Sequence, residues 1–281
     1  MTSSVQVGTR SVQRLGFGAM RVMGATGADR QPSREAAIAL IRRAVELGVE
    51  FIDTADVYGS GESERLIAEA LHPYSANLLI ATKGGFVPGE YLPNGLLPID
   101  CRPERLRRMC DESLRRLKVE RIDLYQLHTP DPAVPFEESI GALVELREAG
   151  KIDQIGLCNV GRGQLAAARA IAPIASLQNR YNLSDRMSDK VLEICAAEGI
   201  TFLPWGPLST GDGTAVATVA AQIGATAQQV ALAWSLQRSP AMLPIPGTSS
   251  IAHLEQNMAA LHITLTTDQI AALDNNEETT S

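Results

Sequence analysis

A chain of 281 residues and 30.1 kDa, 45% hydrophobic and 20% charged, is long enough to bury a sizeable core. Its net charge of -7, with no basic tract, lacks the electrostatic footprint of a nucleic-acid binder. No apolar run approaches the roughly 20 residues of a membrane span, so no membrane partner is expected.

The N-terminal "MTSSVQVGTR" shows no basic region followed by an apolar core, and a cytoplasmic protein is expected. Around Thr9 and Arg10, "VQVG" and "SVQRLG" predict a β-hairpin. Eight short apolar segments then alternate with helical patterns. The segments are "RLGFGAM", "VEFIDTA", "LLIATKGG", "IDLYQLHT", "QIGLCNV", "ASLQNRY", "ITFLPWG" and "MLPIPGT", each readable as a buried strand. Between the first two, "SREAAIALIRRAVELG" opens on a Ser N-cap candidate and closes on Gly48. After "DVYGSG" comes the helical "ESERLIAEAL".

In "RPERLRRMCDESLRRL", residues Leu106, Met109, Cys110, Ser113, Leu114 and Leu117 share one face. "FEESIGALVELREAG" and "MSDKVLEICAAEG" also end on glycine. Residues 214–238 read as two helices broken near Gly224, and "SIAHLEQNMAAL" and "TTDQIAALDNN" end the helical series. Strands alternating with helices admit an open doubly wound sheet or a closed barrel. The match in count, the lack of a linker, and polar residues at nearly every strand C-terminus point to the barrel. The expectation is one α/β domain over residues 1–281, a (β/α)8 TIM barrel whose N-terminal hairpin caps the bottom.

Four polar side chains at strand ends would converge at the mouth of such a barrel: Asp53, Tyr58, Lys83 and His128. Each has an ordinary reading, as a cap, a packed ring, a solvated cation or a core imidazole. Together they suit one chemistry. A phenol with a reference pKa near 10 is a poor acid at neutrality. A lysine cation beside it favours the phenolate, an aspartate keeps that lysine charged, and a histidine orients an oxygen and shares its proton. The set suits proton delivery to a carbonyl oxygen. "YGSGESE" lacks the lysine of a P-loop, "GFGAMR" is an incomplete dinucleotide fingerprint, and the cysteines Cys101, Cys110, Cys158 and Cys195 show no zinc or disulfide spacing. Asp56 reads as a turn or cap residue.

From "LGFGAMR" to "HLEQNMAAL" the ordered motifs "DTADVYG", "TKGG" and "LHTPDP" resemble the aldo-keto reductase superfamily, in a pattern similar to bacterial members that include pyridoxal reductases. The resemblance implies NADPH, with NADH as the alternative, and a small-molecule carbonyl substrate. It implies that Tyr58 is the general acid, His128 orients the carbonyl, and Lys83 paired with Asp53 tunes Tyr58. It further implies a cofactor site along the strand ends. Ala19, Met20 and Asp53 line it, and Cys158 (where the family has serine), Asn159 and Gln178 hold the nicotinamide carboxamide. Trp205 stacks on the ring, and Gly206, Pro207, Leu208 and Ser209 approach the pyrophosphate. Gly247, Thr248, Ser249 and His253 meet the 2′-phosphate, and Gln256 and Asn257 the adenine. The segment "GGFVPGEYLPNGLLPID" would form a flap with Phe86 and Tyr91 as substrate contacts beside Tyr58 and His128. Two other functions stand beside reduction: a nucleotide-sensing module with little turnover, and a lyase or aldolase forming a Schiff base on Lys83.

Overall fold

The structure is a computed structural model that describes residues 3–23, 32–89, 97–211 and 213–275. Strands β1 (Ser4–Val7) and β2 (Arg10–Gln13) pair antiparallel, with Val5 opposite Val12. This is the hairpin predicted around Thr9 and Arg10. Seven further strands form one parallel sheet in chain order: β3 (Phe17–Gly18), β4 (Phe51–Asp53), β5 (Leu79–Gly84), β6 (Ile122–Leu127), β7 (Ile152–Cys158), β8 (Ser176–Arg180) and β9 (Thr201–Trp205).

The eighth predicted strand, "MLPIPGT", is not one. Residues 241–247 nevertheless lie between β9 and β3. Phe202 of β9 donates to the Ala241 carbonyl and accepts from Leu243 N, and Gly16 and Gly18 donate to the carbonyls of Pro244 and Pro246. Pro244 and Pro246 have no N–H to donate, which prevents a regular ladder on both sides. The segment therefore bridges the sheet edges without becoming a strand. Close approach here requires glycine: a Cβ on Gly18 would stand 2.6 Å from the Ile245 carbonyl oxygen, and one on Gly247 2.9 Å from that of Gly18.

Helices occupy the connections. They are α1 (Arg34–Glu46), α2 (Glu62–Leu71), α3 (Pro103–Leu117), α4 (Phe136–Glu148), α5 (Arg162–Ile171), α6 (Asp189–Glu198), α7 (Thr214–Ile223), α8 (Ala227–Arg238), α9 (Ile251–Ala259) and α10 (Thr267–Asp274). Ser33 accepts from Ala36 N at the start of α1, satisfying a donor the helix leaves orphaned. The predicted face of α3 is the buried one, Leu106 through Leu117. Gly224 separates α7 from α8 in the left-handed region, φ 66°, where glycine carries no Cβ penalty.

Helix α5 is absent from the elements read off the sequence. It buries only Leu165 and Ala168, so its apolar stripe is too narrow to announce itself by period.

Two apolar layers result. The larger lies between sheet and helices. The smaller is inside the sheet, where Val7 and Val12 of the hairpin meet Phe51, Leu79, Leu124 and Leu243. Phe51 and Leu79 open their strands, so the hairpin plugs the N-terminal end and leaves the C-terminal edge for polar groups. Arg14, 3% exposed, joins the plug to the far end of the chain. It donates to the carbonyls of Leu236 and Ser239 at 2.8 and 2.6 Å, closing the C-terminal end of α8 with a cation.

Candidate active site

Asp53 ends β4, Lys83 stands one residue from the end of β5, and His128 follows β6 directly. Tyr58 arrives from the turn after β4. Asp53 pairs with Ala81 and Lys83 with Gln126, so successive strands run two residues further. The long Lys83 side chain spans back to Asp53 along one rim.

Lys83 is fully buried and spends its three donors locally. Nζ bonds Asp53 Oδ2 at 2.6 Å, the Thr54 carbonyl at 2.8 Å and the Tyr58 hydroxyl oxygen at 3.4 Å. Tyr58 thus accepts from the lysine, which leaves its own O–H to be donated elsewhere. The Tyr58 and His128 rings meet edge-on at 5.9 Å, and Phe86 meets His128 edge-on at 4.7 Å. Asn159, held at φ 57° in the left-handed region asparagine tolerates, donates to the His128 carbonyl and accepts from Trp205 Nε1, both at 3.0 Å.

Burial acts on each titratable group. It raises the Tyr58 phenol above its ordinary value against the opposing pull of Lys83, so the hydroxyl keeps its proton at neutral pH. Burial opposes the Lys83 cation as well, but the charge of Asp53 and their hydrogen bond outweigh it, and the ammonium is held above the lysine range. His128 is pushed well below its usual value by burial and then by Lys83, and is a neutral imidazole. Cys158 is pushed up by burial and is a thiol.

The predicted cofactor positions follow the same rim and one end of α9. Trp205 ends β9 with 38% of its surface exposed, and Arg180 lies 5.6 Å over its ring. Cys158 ends β7, and Gln178 in β8 donates to Asp53 Oδ1 at 2.9 Å. Ala19 is buried and Met20 exposed in a single helical turn after β3. The Gly206 carbonyl accepts from Asn182, Pro207 is buried, Leu208 half-buried, and the Ser209 hydroxyl sits 3.3 Å from that of Ser184.

Gly247, Thr248 and Ser249 lead to Ser250, whose hydroxyl caps α9 by accepting from His253 N. Gln256 is exposed, and its carbonyl accepts from Gln229. Asn257 is buried, and its Nδ2 has no hydrogen-bond partner among the described residues. Tyr91 lies outside the described residues.

Three features escape the sequence reading. Gln126, in the interior of β6, touches Asp53. Arg21 packs its stem 3.7 Å from where a Gly247 Cβ would be, a cation beside the α9 loop. Asp56, read as a turn residue, sits in the turn but is buried among charged groups, with no partner for Oδ1 among the described residues. The Asp-to-Tyr spacing is visible in a sequence; contacts across strands are not.

A carboxylate, an ammonium, a phenol that keeps its proton and a neutral imidazole are gathered at the C-terminal edge of a curled parallel sheet, in an α/β-barrel-type fold. The aldo/keto reductase family model matches residues 14–278. An uncharacterized oxidoreductase of Schizosaccharomyces pombe is 44% identical over 278 residues, 96% of this chain and 89% of that protein. Pyridoxine 4-dehydrogenase of Escherichia coli is 41% identical over 282 residues, 97% and 98% of the two chains. An aldo/keto reductase from Klebsiella pneumoniae, crystallised with NADP and acetate, superposes with a TM-score of 0.81 at 27% identity, covering 98% of this chain and 95% of that one. The chain belongs to the aldo/keto reductase family and is an NAD(P)H-dependent oxidoreductase.

Proposed function

We propose that the protein reduces an aldehyde or ketone to the alcohol with NADPH, reversibly, on a (β/α)8 barrel whose eighth position is residues 241–247. The observation that carries this is the hydrogen-bond order around Lys83. All three ammonium donors are engaged and one points at the Tyr58 oxygen, so Tyr58 is poised as donor of the one proton the product needs. The same order argues against a Schiff base on Lys83, which requires a neutral, unencumbered amine.

The residues present fit a nicotinamide dinucleotide. Trp205 offers a partly exposed indole at the rim, and Asn257 on α9 holds a buried amide nitrogen with no partner among the described residues. Cys158, Asn159 and Gln178 would hold the carboxamide, residues 206–209 the pyrophosphate, and Gly247 to His253 with Arg21 the phosphate end. When bound, that group supplies hydride to the carbonyl carbon. Tyr58 protonates the carbonyl oxygen, His128 as a neutral imidazole orients it, and Lys83 paired with Asp53 stabilises the phenolate left behind. Phe86, packed on His128, sides the substrate.

Pyridoxal is the substrate to try first, since pyridoxine 4-dehydrogenase aligns over nearly its whole length. NADPH is favoured by the hydroxyls and amides at the start of α9 and by the NADP held in the similar Klebsiella pneumoniae structure. The test is NADPH oxidation over pyridoxal and a panel of aldehydes and ketones, with Tyr58→Phe as control. The variant should lose on the order of a hundredfold or more in kcat and still quench NADPH fluorescence. Undiminished carbonyl reduction by Tyr58→Phe would remove Tyr58 as the acid.

A further inference from the structure

Gln126 is fully buried in β6 and is opposite Lys83 in the β5–β6 register. Its amide nitrogen donates to Asp53 Oδ1 at 3.1 Å, beside the 2.9 Å donation from Gln178. Asp53 therefore receives two amides on one oxygen and the lysine on the other. The Gln126 carbonyl oxygen is anchored in turn, accepting from Ser176 Oγ at 3.4 Å and Cys158 Sγ at 3.7 Å.

The next strand makes room for this side chain. Gly156 pairs with Gln126 across β6–β7, and a Cβ there would stand 2.7 Å from Gln126 Cγ and 2.4 Å from Ser176 Oγ. A glycine in the interior of a strand weakens it unless something else needs the space. Here what fills the space is the glutamine.

We propose that Gln126 is a positioning residue that fixes the Asp53 carboxylate, and through it aims the Lys83 ammonium at Tyr58. The proposal rests on the reading of Tyr58 as proton donor. Gln178 cannot do this alone, since the same amide is the one assigned to the nicotinamide carboxamide. Among the described residues Gln126 bonds Asp53, Ser176 and Cys158, and serves Asp53 throughout. An apolar residue would leave Asp53 Oδ1 one donor short in a dry interior, where such a loss is costly.

Two variants separate positioning from mere packing. Gln126→Leu keeps volume and removes both hydrogen-bonding ends; its kcat should fall at least tenfold while KM for NADPH stays within about twofold. Gln126→Glu is the conservative rescue. Protonated, it can donate to Asp53 and accept from Ser176 as the amide does. Ionised, it sets a second carboxylate against Asp53, and burial brings that ionisation toward neutral pH. Its kcat should approach wild type in acid and fall through a new inflection as pH rises.

The activity-independent readout is the Tyr58 phenol, titrated by ultraviolet difference between each protein and its Tyr58→Phe counterpart. It should ionise at higher pH in Gln126→Leu than in wild type, because the lysine is no longer held on it. An unchanged Tyr58 titration in Gln126→Leu, or a Gln126→Glu profile without the added inflection, overturns the proposal. Absence of carbonyl turnover in the wild-type protein would instead remove the functional reading, while the Tyr58 titration still decides the role of Gln126.

Discussion

Asp56 lies two residues before Tyr58 and is 5% exposed, with Oδ1 unpartnered among the described residues. Burial, and then the neighbouring Glu64 carboxylate, push its carboxyl up to about 8, with Arg116 pulling the other way. In the unfolded chain it titrates near 3.9. Between those values the folded state keeps a proton that the unfolded state releases, so this group makes stability fall as pH rises, levelling off above about 8. Asp56→Asn resembles the protonated acid and has no such dependence. Urea unfolding should find the variant little changed at pH 4 and more stable than wild type at pH 9, by as much as several kcal/mol. Parallel pH profiles for the two proteins would show that the carboxyl is ionised and solvated instead.

The hairpin of β1 and β2 is an element whose sequence looks peripheral and whose position is central. Val7 and Val12 close the inner apolar layer against Phe51, Leu79 and Leu124. Thr201 Oγ1 bonds the Gln6 carbonyl, and Arg10 reaches Asp123 at 2.8 Å. The inner layer stands beneath the polar rim, so the plug supports the floor of the site. Val12→Ala should destabilise by about 1–3 kcal/mol from lost burial and an unfilled void, read as a lower urea midpoint with unchanged slope. An effect below about 0.5 kcal/mol would mean that the hairpin can lift away without disturbing the sheet. Neither outcome should alter the Tyr58 titration, since that depends on contacts at the other end of the strands.

At the scale of the whole molecule residues 241–247 hydrogen-bond both sheet edges, and the proposed dinucleotide site runs from β7 across β9 to α9. A ligand spanning that route ties the bridging segment to both sides. NADPH at a hundred times its Kd should add about 2.7 kcal/mol of stability, a rise of several degrees in Tm by calorimetry. NADH should give a smaller shift if the hydroxyls and amides before α9 meet a 2′-phosphate. Equal shifts would place recognition on the shared parts of the two molecules. Tyr58→Phe should show the full shift, because the phenol lies at the reacting end alone.

Much of this was legible in the chain, for one physical reason. Strand and helix periods are local, so β4 through β9 and most helices could be read in order. A polar residue ending an apolar run stands out, which brings out Asp53, Lys83 and His128, while Asn159 and Trp205 come from the family resemblance. Tertiary structure decided what depends on neighbours across strands. Pro244 and Pro246 turned the eighth strand into an irregular bridge, because a ladder on two sides needs N–H groups they lack. Gln126 is one polar position within a strand, and only the register that sets it opposite Lys83, with Gly156 clearing its space, shows its place. Asp56 looked like a turn, and only burial beside Glu64 gave its carboxyl a different titration. The chain by itself determined which chemical groups are present and at which strand ends. The packing determined which of them touch, because a hydrogen bond between residues 53 and 126 has no trace in either neighbourhood.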